Sequence, residues 1–333
     1  MGSASVSSQS TSERTRPFGR PPGRPPARDM VWIPGGTFQM GSDHHYPEEA
    51  PAHQVTVSGF WMDKFTVTNE QFQKFVKATQ YVTFAELVPN AADYPGANPE
   101  MLVPASLVFQ KPTQRVDMRN ICNWWQYLPG ANWRHPEGKG SSIKGREKHP
   151  VVHVAYEDVL AYARWIGKDL PTEAEWEFAA RGGLDAAEYV WGYELYPQGK
   201  IMANTWQGEF PVENLLTDGY ERTAPVGTYA ANGYGLHDMA GNVWEWTADW
   251  YQNHHAPKAC CGSANPKGAA MEQSYDPNLP DIRIPRKVLK GGSYLCAPNY
   301  CMRYRPAARI AEPIDTSTCH VGFRLIVRPA SST

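Results

Sequence analysis

The chain has 333 residues, 41% of them hydrophobic, with 12 Trp, 17 Tyr and 11 Phe, ample material for one large core or two small ones. Its formal net charge of −2 exerts no general pull on nucleic acid. No apolar run reaches the ~18 residues that span a bilayer and the N-terminus lacks the apolar stretch of a secretory signal, so a soluble protein that stays where it is made, without nucleic-acid or membrane partners, is expected.

Residues 1–29 are Ser, Thr, Arg, Pro and Gly with almost nothing apolar, as in GRPPGRPPAR. They cannot bury enough surface to offset ordering entropy and are expected to form a disordered tail. Order is expected from Met30. VWIPGGTFQMGS reads as a strand, a Pro-Gly-Gly turn and a second strand, and residues 54–58 (QVTVS) alternate as a strand. Thr68-Asn69-Glu70-Gln71 has capping-box spacing, with Phe72, Phe75 and Val76 on one helical face. From Tyr81 to Ile143 the chain is aromatic and punctuated by Pro and Gly, and reads as mostly irregular. Residues 151–154 (VVHV) form a candidate buried strand, and Val159, Tyr162, Ala163 and Ile166 recur at helical spacing.

In LPTEAEWEFAARGG, Thr172 and Glu175 make a second capping box and Gly182 is a natural terminator. The glutamates of this helix suit the positive end of its dipole better than a general-acid role. With 28 Gly and 29 Pro, composition alone implies only a loop-rich α+β chain, and no internal repeat or domain boundary interrupts residues 30–330.

Six cysteines, unevenly spread, are too few for a disulfide scaffold. Cys296 and Cys301 are the informative pair. On a helix a five-residue offset points two side chains apart, whereas a turn bent at Pro298 brings both sulfurs to one point. Such a pair suits a dithiol that closes a disulfide, or two soft thiolates that hold a soft metal such as copper(I). Nearby arginines favour the thiolate form. Two buried core cysteines are the plain alternative. His254-His255 and Cys260-Cys261 resemble a zinc set, but the spacing matches no zinc signature and unrelated loop roles are expected. Cys122 and Cys319 are expected to be inert, partly buried thiols.

The run GGSYLC…YCMRYR…AAR, with LPTEAEWE…ARGG, HPVVHV, GNVWEW and GFR, closely resembles the formylglycine-generating enzymes, oxidases that mature sulfatases. The resemblance spans roughly Met30 to Arg328. It implies a single C-type-lectin-like domain of short helices and small sheets, acting as a monomer. It also implies conversion of the cysteine in a sulfatase Cys-x-Pro-x-Arg segment to Cα-formylglycine with molecular oxygen and copper(I).

Matched by position, Cys296 and Cys301 would be the copper ligands, Ser293 and Tyr300 would hydrogen-bond around the oxygen-binding region, and Trp244 would form its apolar wall. Arg303 and Arg305 would give structural or electrostatic support. Structural calcium would be held by Asn204, Thr205, Asp218 and Tyr220 at one site. A second would use Asp238, where relatives often have Asn, with Gly241, Val243 and Glu245.

Two departures stand out. Secreted relatives carry two disulfides where this chain has Ala163 with Leu325 and Ala180 with Pro306, which points to a reducing, cytoplasmic setting. His320 stands where those relatives have an Asn near the peptide groove. The rival readings are a non-haem iron oxidase of the sulfoxide-synthase type, which normally has an additional iron-binding helical domain, and a lectin-like binding module without catalysis.

Overall fold

The computed structural model describes residues 19–255 and 263–330. In chain order its strands begin with β1 (Met30–Ile33), β2 (Gly36–Met40), β3 (His53–Val57), β4 (Phe60–Asp63), β5 (Ala105–Phe109) and β6 (Trp125–Pro129). They continue with β7 (Trp244–Trp250), β8 (Ser263–Ala264), β9 (Arg286–Lys290), β10 (Arg309–Pro313), β11 (Val321–Gly322) and β12 (Ile326–Val327). The α-helices among the described residues are α1 (Asn69–Thr79), α2 (Tyr156–Ile166) and α3 (Glu173–Arg181). The sheets are small: β10-β9-β7-β11, β1-β4-β12, β2-β3-β8 and the hairpin β5-β6. This is the loop-rich α+β architecture that the resemblance implies.

Both capping boxes form. Thr68 Oγ1 accepts from the Gln71 amide (3.3 Å) while Gln71 Oε1 accepts from the Thr68 amide (2.9 Å). The reciprocal bonds at α3 join Thr172 and Glu175 (3.2 and 2.7 Å). Each box satisfies two amides that a helix start leaves open. α1 then buries Phe72, Phe75 and Val76, and Phe72 stacks on Tyr162 of α2 at 5.8 Å. Burying three such side chains contributes on the order of 1.5–3 kcal/mol each.

The glutamates of α3 are structural. Glu173 takes both arms of Arg309 (2.7 and 3.0 Å), and Glu177 takes Arg181 (2.7 Å) and Lys290 (3.0 Å). Ahead of β1, the Asp29 carbonyl accepts from the Lys64 amide at 2.8 Å.

The stretch from Tyr81 to Ile143 is mostly irregular, as expected, with short 3-10 turns and the β5-β6 hairpin, whose strands face each other from Ala105↔Pro129 to Phe109↔Trp125. One expectation is corrected. Residues 151–154 are buried but form no strand, because His153 sits at φ 60° and turns the chain there. In that conformation its amide reaches the Thr318 carbonyl (2.8 Å), and its ring lies between Ser106 Oγ (2.6 Å) and the Pro136 carbonyl (2.9 Å). Those three bonds, all to distant segments, stabilise a backbone that a β-region residue would not adopt.

The central sheet positions the site. β7 pairs antiparallel with β9 and parallel with β11, so Trp244 faces Val321 in register and its amide donates to the His320 carbonyl (2.8 Å). One core joins α1 and α2 to Trp244, Trp246, Leu289, Cys296 and Cys301. An aromatic cluster of Phe109, Trp124, Trp206, Phe210 and Tyr294 takes Leu295 and Ala297. The chain that leaves β9 thus threads between two apolar clusters.

Candidate active site

β9 ends at Lys290 and the backbone turns through Gly291 (φ 95°) and Gly292 (φ 71°). A Cβ on Gly292 would lie 2.8 Å from the Arg303 carbonyl oxygen, so only glycine lets the two arms of the 292–303 loop close on each other. Inside that loop the Cys296 amide donates to the Ser293 carbonyl (3.0 Å) and the Cys301 amide to the Ala297 carbonyl (2.8 Å). The two sulfurs come to 3.1 Å, unbonded to each other and both buried. Pro298, Asn299 and Tyr300 at the tip are exposed.

The thiols are unequal. Cys301 has its pKa lowered, first by the thiol hydrogen bond from Cys296 and then by Arg303, whose Nη1 lies 4.0 Å from its sulfur. Burial, and the partner sulfur, push Cys296 well up. Arg303, on the Cys301 side of the pair, favours a thiolate there, and burial disfavours one on Cys296. Arg303 is itself fixed by Glu48 (2.6 Å) and by the Tyr46 ring, 3.8 Å below its guanidinium.

Trp244 is buried in the same core as both cysteines. The Tyr300 ring stacks on Phe210 at 4.2 Å and meets the edge of Trp124 at 5.8 Å. Burial and the two nearby thiols push its phenol up to about 12. Ser293 is fully buried; its carbonyl holds Cys296, and its hydroxyl accepts from the Leu295 amide (3.2 Å). Arg305 is bidentate on buried Glu49 and donates from Nε to the Met302 carbonyl (2.7 Å). His320 packs against Trp125 (4.9 Å between rings) with Nδ1 on Thr318.

Sequence reading missed Tyr46, Glu48 and Glu49, the aromatic wall of Trp124, Trp206 and Phe210, and Tyr304. The hydroxyl of Tyr304 is buried without a hydrogen-bond partner in the protein, in the core that contains both cysteines. None of these residues has a spacing that announces it; the paired aromatics Trp124-Trp125 are the one local hint.

Among the described residues no group of three or more His, Cys, Asp or Glu is placed to hold a metal, so a hard cation would combine one or two carboxylates with amide and backbone carbonyl oxygens. The first expected calcium set fits that chemistry. Asn204 Oδ1 is buried with no partner, while its Nδ2 is tied to the Arg222 carbonyl (2.9 Å). Thr205 O and Asp218 Oδ2 converge on one donor, Gln207 Nε2, and the Tyr220 amide fixes Asp218 Oδ1 (3.0 Å). In the second set Asp238 Oδ1 is likewise buried and open. Gly241 packs so closely that a Cβ would stand 2.3 Å from the Asn204 carbonyl oxygen, which places the two segments side by side. Val243 is buried just before β7. Glu245, however, is already engaged by both arms of Arg324 (2.7 Å each) and by Trp176 Nε1 (2.7 Å). Asp238 is the side chain of that set with an open oxygen.

Of the suspected zinc cluster, Cys260 and Cys261 lie outside the described residues. His254 bonds the Pro47 carbonyl (3.0 Å), and His255 is buried with its ring 4.8 Å from that of His53. Cys319 is buried, accepting from the Phe109 amide and the Tyr294 hydroxyl (3.3 Å each). Cys122 is exposed, contrary to expectation, because a short 3-10 turn (Ile121–Asn123) carries it on the surface.

Fold and site together define a lectin-like α+β domain built around a buried, unbonded dithiol. Residues 17–329 match the family described as "Sulfatase-modifying factor enzyme 1-like domain", and the chain belongs to it. It is 50% identical over 307 residues to a formylglycine-generating enzyme of Mycobacterium tuberculosis, covering 91% of this chain and 99% of that one. A formylglycine-generating enzyme of Thermomonospora curvata is 47% identical, with 91% and 94% covered. The solved structure of PvdO from Pseudomonas aeruginosa shares the fold, with TM-score 0.60 at 23% identity and 93% of this chain covered.

Proposed function

We propose that this protein converts a cysteine of a sulfatase polypeptide to Cα-formylglycine, using copper(I) and molecular oxygen at Cys296 and Cys301. The observation that carries the reading is the pair of free sulfurs 3.1 Å apart, buried beneath an exposed loop tip. Two thiolates form a ligand set that favours copper(I) over the hard or borderline cations of carboxylate and imidazole sites. Copper, when bound, supplies the electron-transfer and oxygen chemistry, and the protein supplies binding, orientation and exclusion of water.

Cys296 and Cys301 would hold the metal, and the thiolate of the substrate cysteine would be drawn to the same soft centre. Loss of two hydrogens from the substrate CH2–SH gives a thioaldehyde, which water hydrolyses to the aldehyde and hydrogen sulfide. Reduction of oxygen to water takes four electrons, so a thiol reductant supplies the two that the substrate does not. Trp244 walls the pocket on its buried side. Tyr300, fixed against Phe210 and protonated at neutral pH, offers a hydroxyl at the entrance. Ser293 fixes the backbone that presents Cys296. The substrate would be an extended Cys-x-Pro-x-Arg segment lying over the exposed tip, with main-chain hydrogen bonds giving affinity.

Structural calcium at Asn204, Thr205, Asp218 and Tyr220, and a second ion beside Asp238, belong to the same reading, supported by the two open buried oxygens. So do action as a monomer and a reducing, cytoplasmic compartment, the compartment alone being supported by Ala163, Leu325, Ala180 and Pro306 at the positions where secreted relatives pair cysteines.

Purified protein with copper, oxygen and a Cys-x-Pro-x-Arg peptide, followed by mass spectrometry, tests the proposal. Cys296→Ser and Cys301→Ser should each abolish aldehyde formation with the fold intact, because a hydroxyl is a hard, weak ligand. Aldehyde made by the double variant would refute the proposed centre. A lectin-like binding module would keep its ligand after the same substitutions, and an iron oxidase would work without copper.

A further inference from the structure

The two cysteines are held by different means. Cys296 is anchored by the body of the fold: its amide bonds Ser293 within the turn after β9, and its carbonyl accepts from the Trp206 amide (3.0 Å). Cys301 follows the exposed tip, and no strand begins until β10, eight residues later. Just past it the Met302 carbonyl accepts from Arg305 Nε (2.7 Å), and the Met302 amide is held from far upstream. The Met302 amide donates to the hydroxyl of Tyr46 (3.1 Å), a contact across 256 positions. The Tyr46 ring lies under Arg303 (3.8 Å), whose two arms reach Glu48 (2.6 Å) and the Cys301 sulfur (4.0 Å). Tyr46 is in turn held at the mouth of the short turn Pro47–Glu49, where its carbonyl accepts from the Glu49 amide (2.9 Å).

We propose that Tyr46, backed by Glu48, is the positioning residue that holds Cys301 against Cys296. Neither residue would touch substrate. Their effect is on the effective concentration of one sulfur at the other, because a loop with an exposed tip samples more separations when one of the contacts that fix its second arm is lost. This inference rests on the proposed copper site only for its metal readout. A second readout needs no metal: oxidised glutathione accepts two electrons from the two cysteine thiols, giving the Cys296–Cys301 disulfide and two molecules of glutathione with all protons and electrons accounted for. The equilibrium constant of that exchange is the effective concentration of the two thiols.

The test is Tyr46→Phe, which removes the acceptor for the Met302 amide and keeps the ring, with Glu48→Gln as a second variant that removes the counter-charge of Arg303. Losing one net hydrogen bond corresponds to a change of about fivefold. The disulfide exchange constant with glutathione should therefore fall about fivefold in Tyr46→Phe. Copper(I) affinity, measured by competition with a chromophoric chelator, should fall by a similar factor, and in peptide turnover kcat should drop while KM holds. Unchanged constants in both variants would overturn the inference. So would a lowered melting temperature with unchanged constants per folded molecule, which would make Tyr46 a stability residue only. If the unsubstituted protein binds no copper(I) through this pair, the proposed function fails, and the glutathione constant still decides the role of Tyr46.

Discussion

Glu49 and Arg305 form a fully desolvated ion pair, 0% and 1% exposed, closed by two parallel N–H···O bonds. Glu49→Gln keeps the shape and removes the charge, leaving a guanidinium buried without its counter-ion. Breaking such a pair from one side costs about 3–5 kcal/mol, whereas an exposed pair is worth at most about 1 kcal/mol. With an unfolding entropy of roughly 2.1 cal/mol/K per residue over roughly 300 ordered residues, that loss lowers the melting temperature by about 5–8 K. Scanning calorimetry and urea unfolding of the single variant measure it directly. Glu49→Met with Arg305→Met should recover most of the loss, because replacing both members with apolar side chains of similar volume removes the stranded charge. A drop below about 2 K in Glu49→Gln would refute the reasoning, since it would place the pair in the energetic range of a solvated surface contact.

His153 is buried and neutral, its pKa lowered by desolvation to about 4, with the Pro136 carbonyl on Nε2 and Ser106 on Nδ1. The unfolded chain takes up a proton below about pH 6.5 that the fold refuses until about 4, so this residue makes stability fall as pH drops through that window. His153→Gln, less stable at pH 7, should close the gap to the unsubstituted protein by about 2 kcal/mol at pH 5. A gap in urea-unfolding free energy that stays constant would show that the imidazole does not set this slope. Chelation should lower the melting temperature if a cation fills the oxygens around Asn204 and Asp218, and Asp218→Ala should mimic it. An unchanged melting curve, with no calcium found by elemental analysis, would remove that site.

Local chemistry made part of this protein legible before any folding was considered. Thr68 with Gln71 and Thr172 with Glu175 carry their helix starts in four consecutive residues, because capping is satisfied within one turn. Cys296, Pro298 and Cys301 carry the dithiol in six residues for the same reason. Other features arise only when the chain returns to itself. Residues 151–154 have a strand's composition, yet His153 is held in the left-handed region by Thr318, Ser106 and Pro136. The hairpin β5-β6 gains its hydrophobic face from Phe210 and Trp206, and the position of Cys301 depends on Tyr46 and Glu48. Buried arginines find their partners in the same way: Arg305 with Glu49, Arg309 with Glu173 and Arg324 with Glu245 span 256, 136 and 79 positions. A desolvated charge can be paired by any oppositely charged group that the fold delivers, so the sequence around an arginine holds no record of which carboxylate will meet it.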